Sequence, residues 1–180
     1  AVGFLINNSL VYITDTGYIN KKYYDLLSNR EIYYIESNHD EQMLLTGSYP
    51  HYLKQRILSD KVHLSNGATA SYLEKFIGSN TKYIILAHIS ETNNTKELAL
   101  ETTKEALANT IYSPKIIVAS QDYLESLEIA NIIREQFECK RLSLDNEIDI
   151  YQSTLTGVTE AYDDQANAFI QKLSFDFKVR

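Results

Sequence analysis

The chain has 180 residues, 44% hydrophobic and 23% charged, with no low-complexity run, enough for a self-sufficient core. No apolar stretch reaches the roughly 18–20 residues of a membrane-spanning helix, and one cysteine, Cys139, rules out an internal disulfide framework and fits a reducing cytoplasm. A net charge of −7 and a pI of about 5.1 argue against a broad basic surface for nucleic acid but leave room for a local phosphate site.

The segment 1–6 lacks the basic stretch of a secretory signal. It already reads as a strand, and the only methionine is Met43, so the chain reads as one entered in its middle. Val2 to Ile6 and Leu10 to Ile13 are apolar runs separated by Asn7-Asn8-Ser9, a hairpin signal. Asp15-Thr16-Gly17 breaks the second run, and Asn20 to Ser28 suits a short helix. Ile32 to Ile35 reads as a buried strand ending at Glu36-Ser37-Asn38-His39-Asp40. Glu41 to Leu45 starts a helix that Gly47 ends, and another begins near Pro50. Asn66 is placed to cap the next helix, with Ala70, Leu73, Phe76 and Ile77 at helical spacing and Gly78 as the stop. Tyr83 to Ala87 is a strand running into His88, Thr95 to Ala108 a helix, and Ile116 to Val118 a strand. Strands alternating with helices predict an α/β layered fold.

Beyond this point the pattern is looser. Leu124, Leu127, Ala130, Ile133 and Phe137 fit one helix face, a stretch that also suggests a buried, inert Cys139. Leu142, Leu144, Ile148 and Ile150 alternate as a strand does. Val158, Ala161, Ala166, Phe169, Ile170 and Leu173 read as a second helix, and Phe175, Phe177 and Val179 alternate again. Residues 123–180 hold 6 Lys+Arg against 11 Asp+Glu, so this tail carries most of the acidity.

The chemistry-bearing residues sit at strand ends, where loops present side chains from a rigid base. Asp15, before a glycine turn, suits a hard-oxygen metal ligand or an ordinary Asx turn. His88 suits a metal ligand or a buried, hydrogen-bonded histidine. Asn38, His39 and Asp40 follow Glu36 and Ser37 in a polar run that fits either water and phosphate handling or a helix cap. His63, Ser65 and Asn66 precede a helix start, which suits phosphate or simple capping. No phosphate-binding Gly-Lys loop, dinucleotide glycine fingerprint or nucleophile elbow is present.

Five segments occur in order: Ile13-Thr14-Asp15-Thr16-Gly17-Tyr18; Glu36-Ser37-Asn38-His39-Asp40; Tyr49-Pro50 through Arg56-Ile57-Leu58-Ser59-Asp60; His63-Leu64-Ser65-Asn66; and Leu86-Ala87-His88-Ile89-Ser90 with Asn93-Asn94. Together they resemble the C-terminal half of the WalJ/YycJ-type metallo-β-lactamase-fold hydrolases over roughly residues 1–122. The resemblance implies half of an αββα sandwich, with residues 1–128 the C-terminal part of a metallo-β-lactamase-like domain and 129–180 an α/β extension.

It also implies a single-strand DNA 5′ exonuclease using two divalent metal ions, zinc or manganese, in the cytoplasm and away from membranes. Asp15 would bridge the metals and His88 would ligate the second. His39 and Asp40 join Asp15 as the catalytic set, while Asn38, His63, Ser65 and Asn66 lie toward substrate phosphate. The family's H-x-H-x-D-H and S-H-D motifs, which precede the Asp15 segment, are not in this chain, and Val62 stands where the family usually has glycine. The chain alone is therefore expected to be inactive and to bind DNA only in the complete protein, and its inner sheet face is expected to be covered by the N-terminal half or self-association, to repack with residues 123–180, or to leave the chain poorly soluble. A scaffold or interaction protein derived from the fold, and a hydrolase of a small non-nucleic substrate, are the alternatives.

Overall fold

The computed structural model describes residues 2–58, 62–119, 123–137, 142–144, 148–163 and 168–179, with side chains described for 3–58, 62–119 and 128–135. The chain forms two compact units, Ala1–Ala119 and Ser120–Arg180.

The first unit is α/β, as the alternating pattern predicts. Strands β1 (Val2–Ile6) and β2 (Leu10–Thr14) form the expected hairpin, paired antiparallel with Ile6 opposite Leu10. Asn7 and Asn8 both take positive φ between them, a conformation asparagine tolerates better than most residues. β3 (Ile32–Glu36), β4 (Tyr83–Ala87) and β5 (Lys115–Val118) then add in parallel, giving a mixed five-stranded sheet in sequence order. The register places Ile13 beside Ile35, Ile35 beside Leu86, and Glu36 beside Ala87. The ends of β2, β3 and β4 are therefore level.

These central strands read as unbroken apolar runs because both of their faces are buried. Val11, Ile13, Tyr33, Ile35, Ile84, Leu86 and Val118 belong to the main core cluster, together with Leu73 and Phe76 of α4 (Asn66–Phe76) and Ala99 and Leu107 of α5 (Lys96–Leu107). The alternate residues Leu10, Ile32, Ile85 and Ile117 are buried on the opposite face. Tyr33 bridges the core to its rim: its hydroxyl lies 2.8 Å from the carbonyls of Leu27 and Phe76 and accepts from the Arg30 amide. Burial pushes the Tyr33 phenol pKa up, so it stays a neutral donor.

The helices start where capping chemistry predicts, with one correction. A 3-10 turn at Lys21–Tyr23 leads into α1 (Tyr24–Leu27). Asp40 caps α2 (Glu41–Thr46), and Pro50 precedes α3 (His51–Leu58). For α4 the cap is Ser65, whose hydroxyl accepts from the Ala68 amide, and Asn66 is the first helical residue. Asn66 does not cap because its amide is occupied elsewhere in the core. Thr95 caps α5 through the Leu98 amide.

In the second unit, α6 (Tyr123–Phe137) contacts β7 (Ile148–Asp163) and β8 (Ala168–Val179), which pair antiparallel; β6 (Leu142–Leu144) pairs with β7. The predicted helix over Val158–Leu173 is thus a strand pair, with Val158 opposite Leu173 and Ala161 opposite Ile170. Its apparent helical spacing runs across two strands, and Thr154, Thr156, Val158, Thr159 and Tyr162 are strand formers. Ala166 and Cys139 lie outside the described residues. No described helix is long and apolar enough to cross a membrane.

Candidate metal centre

Because the ends of β2, β3 and β4 are level, the residues that follow them converge. Asp15 follows β2, Glu36 ends β3, and His88 follows β4. Asp15 and His88 both have φ of 57°, a left-handed turn that lifts each side chain off its strand. His63 arrives from the other side. Asn38 N donates to Leu64 O, Asn66 N donates to His39 O, and an isolated parallel bridge joins His39 to Ser65. This short pairing brings the segment before α4 against the extension of β3.

Glu36 is the hub. Its side chain is fully buried, yet four donors reach it. The Nδ1 of His63 lies 2.7 Å and the Nδ1 of His88 2.6 Å from Oε1, while the amides of Thr16 and Leu64 donate to Oε2 at 3.2 and 3.4 Å. A carboxylate so supplied fixes both imidazoles with the proton on Nδ1, leaving each Nε2 lone pair free. The rings stand edge to face, 5.1 Å apart. The Asp15 carboxylate is 3.7 Å from His88 Nδ1 and 67% exposed.

Asp15, Glu36, His63 and His88 thus place one potential ligand atom each within 4.8 Å of the others. Two ligands of one tetrahedral zinc lie about 3.3 Å apart. The 2.6–2.7 Å separations at Glu36 are hydrogen-bond distances instead. The donor set therefore fits a divalent cation beside Asp15 and the two imidazoles, with Glu36 orienting the rings. Three such donors are fewer than a closed zinc site uses.

The other sequence-predicted residues surround this centre in different capacities. Asn38 clamps the His88 turn: its Nδ2 donates to His88 O at 2.8 Å, and its carbonyl accepts from the Ser90 amide. Asp40 accepts from the Met43 amide at 2.8 Å, so its carboxylate serves as the α2 cap. Ser65 donates to Glu41 Oε1 at 2.9 Å while capping α4. Asn66 is buried in an amide network, accepting from Ser37 Oγ at 2.7 Å and exchanging bonds with Asn94. Asn94 Nδ2 also donates to Ser37 O. These groups stiffen the loops that carry the histidines. His39 is 2% exposed and lines the adjoining cleft. Burial lowers its pKa, opposed by the Glu41 and Asp40 carboxylates and aided by His63.

The cleft has a volume of about 420 Å³ and runs from His63 and His88 along α3, where Tyr49, Leu53, Arg56 and Ile57 line it. Sequence reasoning left Glu36 among a polar run without a role of its own. Its signal was a lone carboxylate ending an apolar strand between two others that end in Asp15 and His88.

This arrangement defines a carboxylate–imidazole centre at the carboxyl ends of the parallel strands β2, β3 and β4, of the kind that can hold a divalent metal. The sequence comparison then places the chain more narrowly. It is 46% identical over 102 residues to the exodeoxyribonuclease WalJ of Streptococcus pneumoniae serotype 2 (strain D39), with 57% of this chain and 38% of that protein covered. It is 42% identical over 101 residues to the exodeoxyribonuclease YycJ of Bacillus anthracis, with 56% and 38% covered. The resemblance to WalJ/YycJ-type proteins therefore holds, and the matched stretch spans less than half the length of these curated relatives. No family model matches the chain.

Proposed function

We propose that this chain supplies the C-terminal half of a metallo-β-lactamase-like metal-dependent phosphodiesterase, acting as a single-strand DNA 5′ exonuclease in the complete protein. The observation that carries this reading is the Glu36 hub, a buried carboxylate that holds two imidazoles beside Asp15. The exodeoxyribonuclease names of the relatives supply the substrate class. The first unit would be one βα layer of the αββα sandwich, with residues 1–128 the metallo-β-lactamase-like part and 129–180 an extension.

Asp15 and His88 would hold the metal, with the His63 ring 5.1 Å from that of His88. Bound divalent ions supply an activated water and stabilise charge on phosphate oxygens. This chain's own residues orient that chemistry. Glu36 holds both rings through Nδ1, so that Nε2 is the accepting nitrogen of each, Asn38 holds the His88 turn, and Asp40, Ser65 and Asn66 fix the surrounding loops. This chain has no H-x-H-x-D-H motif, so by itself it is expected to be inactive.

The test is titration of the chain with zinc and with manganese, alongside cleavage of 5′-labelled single-stranded DNA. Weak metal binding that Asp15→Asn and His88→Gln abolish, without turnover, is the expected result. Turnover should appear on adding the N-terminal portion of a relative. Absence of metal binding, with binding of a partner protein that tolerates Asp15→Ala, would favour the scaffold alternative.

A further inference from the structure

The three imidazoles along the cleft do not share one hydrogen-bonding state. His63 and His88 give their Nδ1 protons to Glu36, which leaves Nε2 as the accepting nitrogen of each ring. His39 is arranged the other way. Its Nδ1 is buried with no hydrogen-bond partner among the described residues, and its ring lines the cleft. A proton on that Nδ1 would strand a strong donor in a low-dielectric interior, whereas a lone pair there forfeits less. The ring is held neutral by its burial. The single proton of neutral His39 therefore belongs on Nε2.

A neutral donor suits an oxygen acceptor and cannot ligate a metal through that nitrogen. The surroundings narrow the acceptor. Arg56 lines the same cleft and favours an anion, while Leu53, Ile57 and Tyr49 offer apolar surface for a base or sugar. A volume of about 420 Å³ falls within the size range of small-ligand sites. We propose that His39 is a substrate-positioning residue, presenting a neutral Nε2–H to a phosphate oxygen of one nucleotide seated between the metal centre and α3. This rests on the phosphodiesterase reading and adds a division of labour: accepting nitrogens on the metal side, a donating one on the substrate side.

The experiment is a long-range ¹H–¹⁵N spectrum of the intact, metal-free chain near neutral pH, which reports each ring's tautomer without any catalysis. His63 and His88 should carry Nδ1–H, and His39 should carry Nε2–H. Added thymidine 5′-monophosphate should shift the His39 Nε2 signal, with inorganic phosphate run in parallel to separate phosphate recognition from base recognition. His39→Asn, whose amide nitrogen mimics Nδ1, should weaken the nucleotide about tenfold, and His39→Gln, which mimics Nε2, should retain it.

An Nδ1–H tautomer at His39 overturns the proposal. So does an unmoved His39 signal at millimolar nucleotide, or equal losses in the two variants. Failure of zinc to bind, with the His39 behaviour intact, would instead overturn the metal-centre reading and leave the nucleotide site standing.

Discussion

At the scale of single residues, Glu36 decides the geometry of the centre. Replacing it with glutamine puts an amide N–H against two imidazole Nδ1–H groups or two backbone amides, so donors face donors whichever way the amide turns. Glu36→Gln should cost about 2 kcal/mol in chemical denaturation, and the His63 and His88 ring signals should lose their fixed tautomers. His39 gives a pH signature. Its folded pKa lies below the ordinary 6.5, so the unfolded chain takes up a proton that the folded chain resists. The stability is complete above about pH 6.5 and is lost as pH falls toward the folded value. Thermal melts on the acid side should therefore fall more steeply for the wild type than for His39→Gln. Glu41 and Asp40 reduce this slope because their carboxylates favour the charged ring. Asp15 and His88 were legible from sequence because each directly follows an apolar run. Glu36 was not, because its role comes from strand register and from the return of His63 beside it, and no local pattern encodes either.

At the scale of elements, the first unit's strands and most helices were legible because continuous apolar runs and capping residues are local signals. Two features needed the fold. The cap of α4 falls on Ser65 because Asn66 is drawn into bonds with Ser37 and Asn94, partners 29 and 28 positions away. The tail's strand pair was misread because its apolar residues mimic helical spacing across two strands. Ser65→Ala should destabilise the first unit by about 1 kcal/mol, the usual loss for an N-cap, readable as a lowered thermal midpoint. Gly47 closes α2 under a tighter constraint. A Cβ there would come 2.7 Å from Met43 O and 3.0 Å from Asn93 Oδ1. Gly47→Ala should push Asn93 outward and loosen the bond between its carbonyl and the Asp40 amide, which amide hydrogen exchange at Asp40 will show as faster exchange.

At the scale of the whole molecule, every described partner of the Glu36 hub lies before residue 119, within the first compact unit. A chain ending at residue 119 should keep the Nδ1–H tautomers of His63 and His88, and loss of those signals in a folded truncation would show that the second unit helps to set the site. The α/β character of this unit was readable at the outset. The three-stranded sheet of the second unit was not, since strand pairing depends on contacts far apart in sequence.

The left-handed turns at Asp15 and His88 set foldability against function at the same two positions. A residue with a Cβ is disfavoured at φ of 57°, and glycine would relax it at a cost only to the unfolded state's order. His88 repays part of that strain through its bond to Glu36, but Asp15 is mostly exposed and has only a 3.7 Å approach to His88. Asp15→Gly should therefore raise the thermal midpoint slightly, by up to about 1 kcal/mol of stability, while removing the carboxylate from the centre. Selection for a more robust fold alone would erase this aspartate, so its presence records a demand that folding does not make.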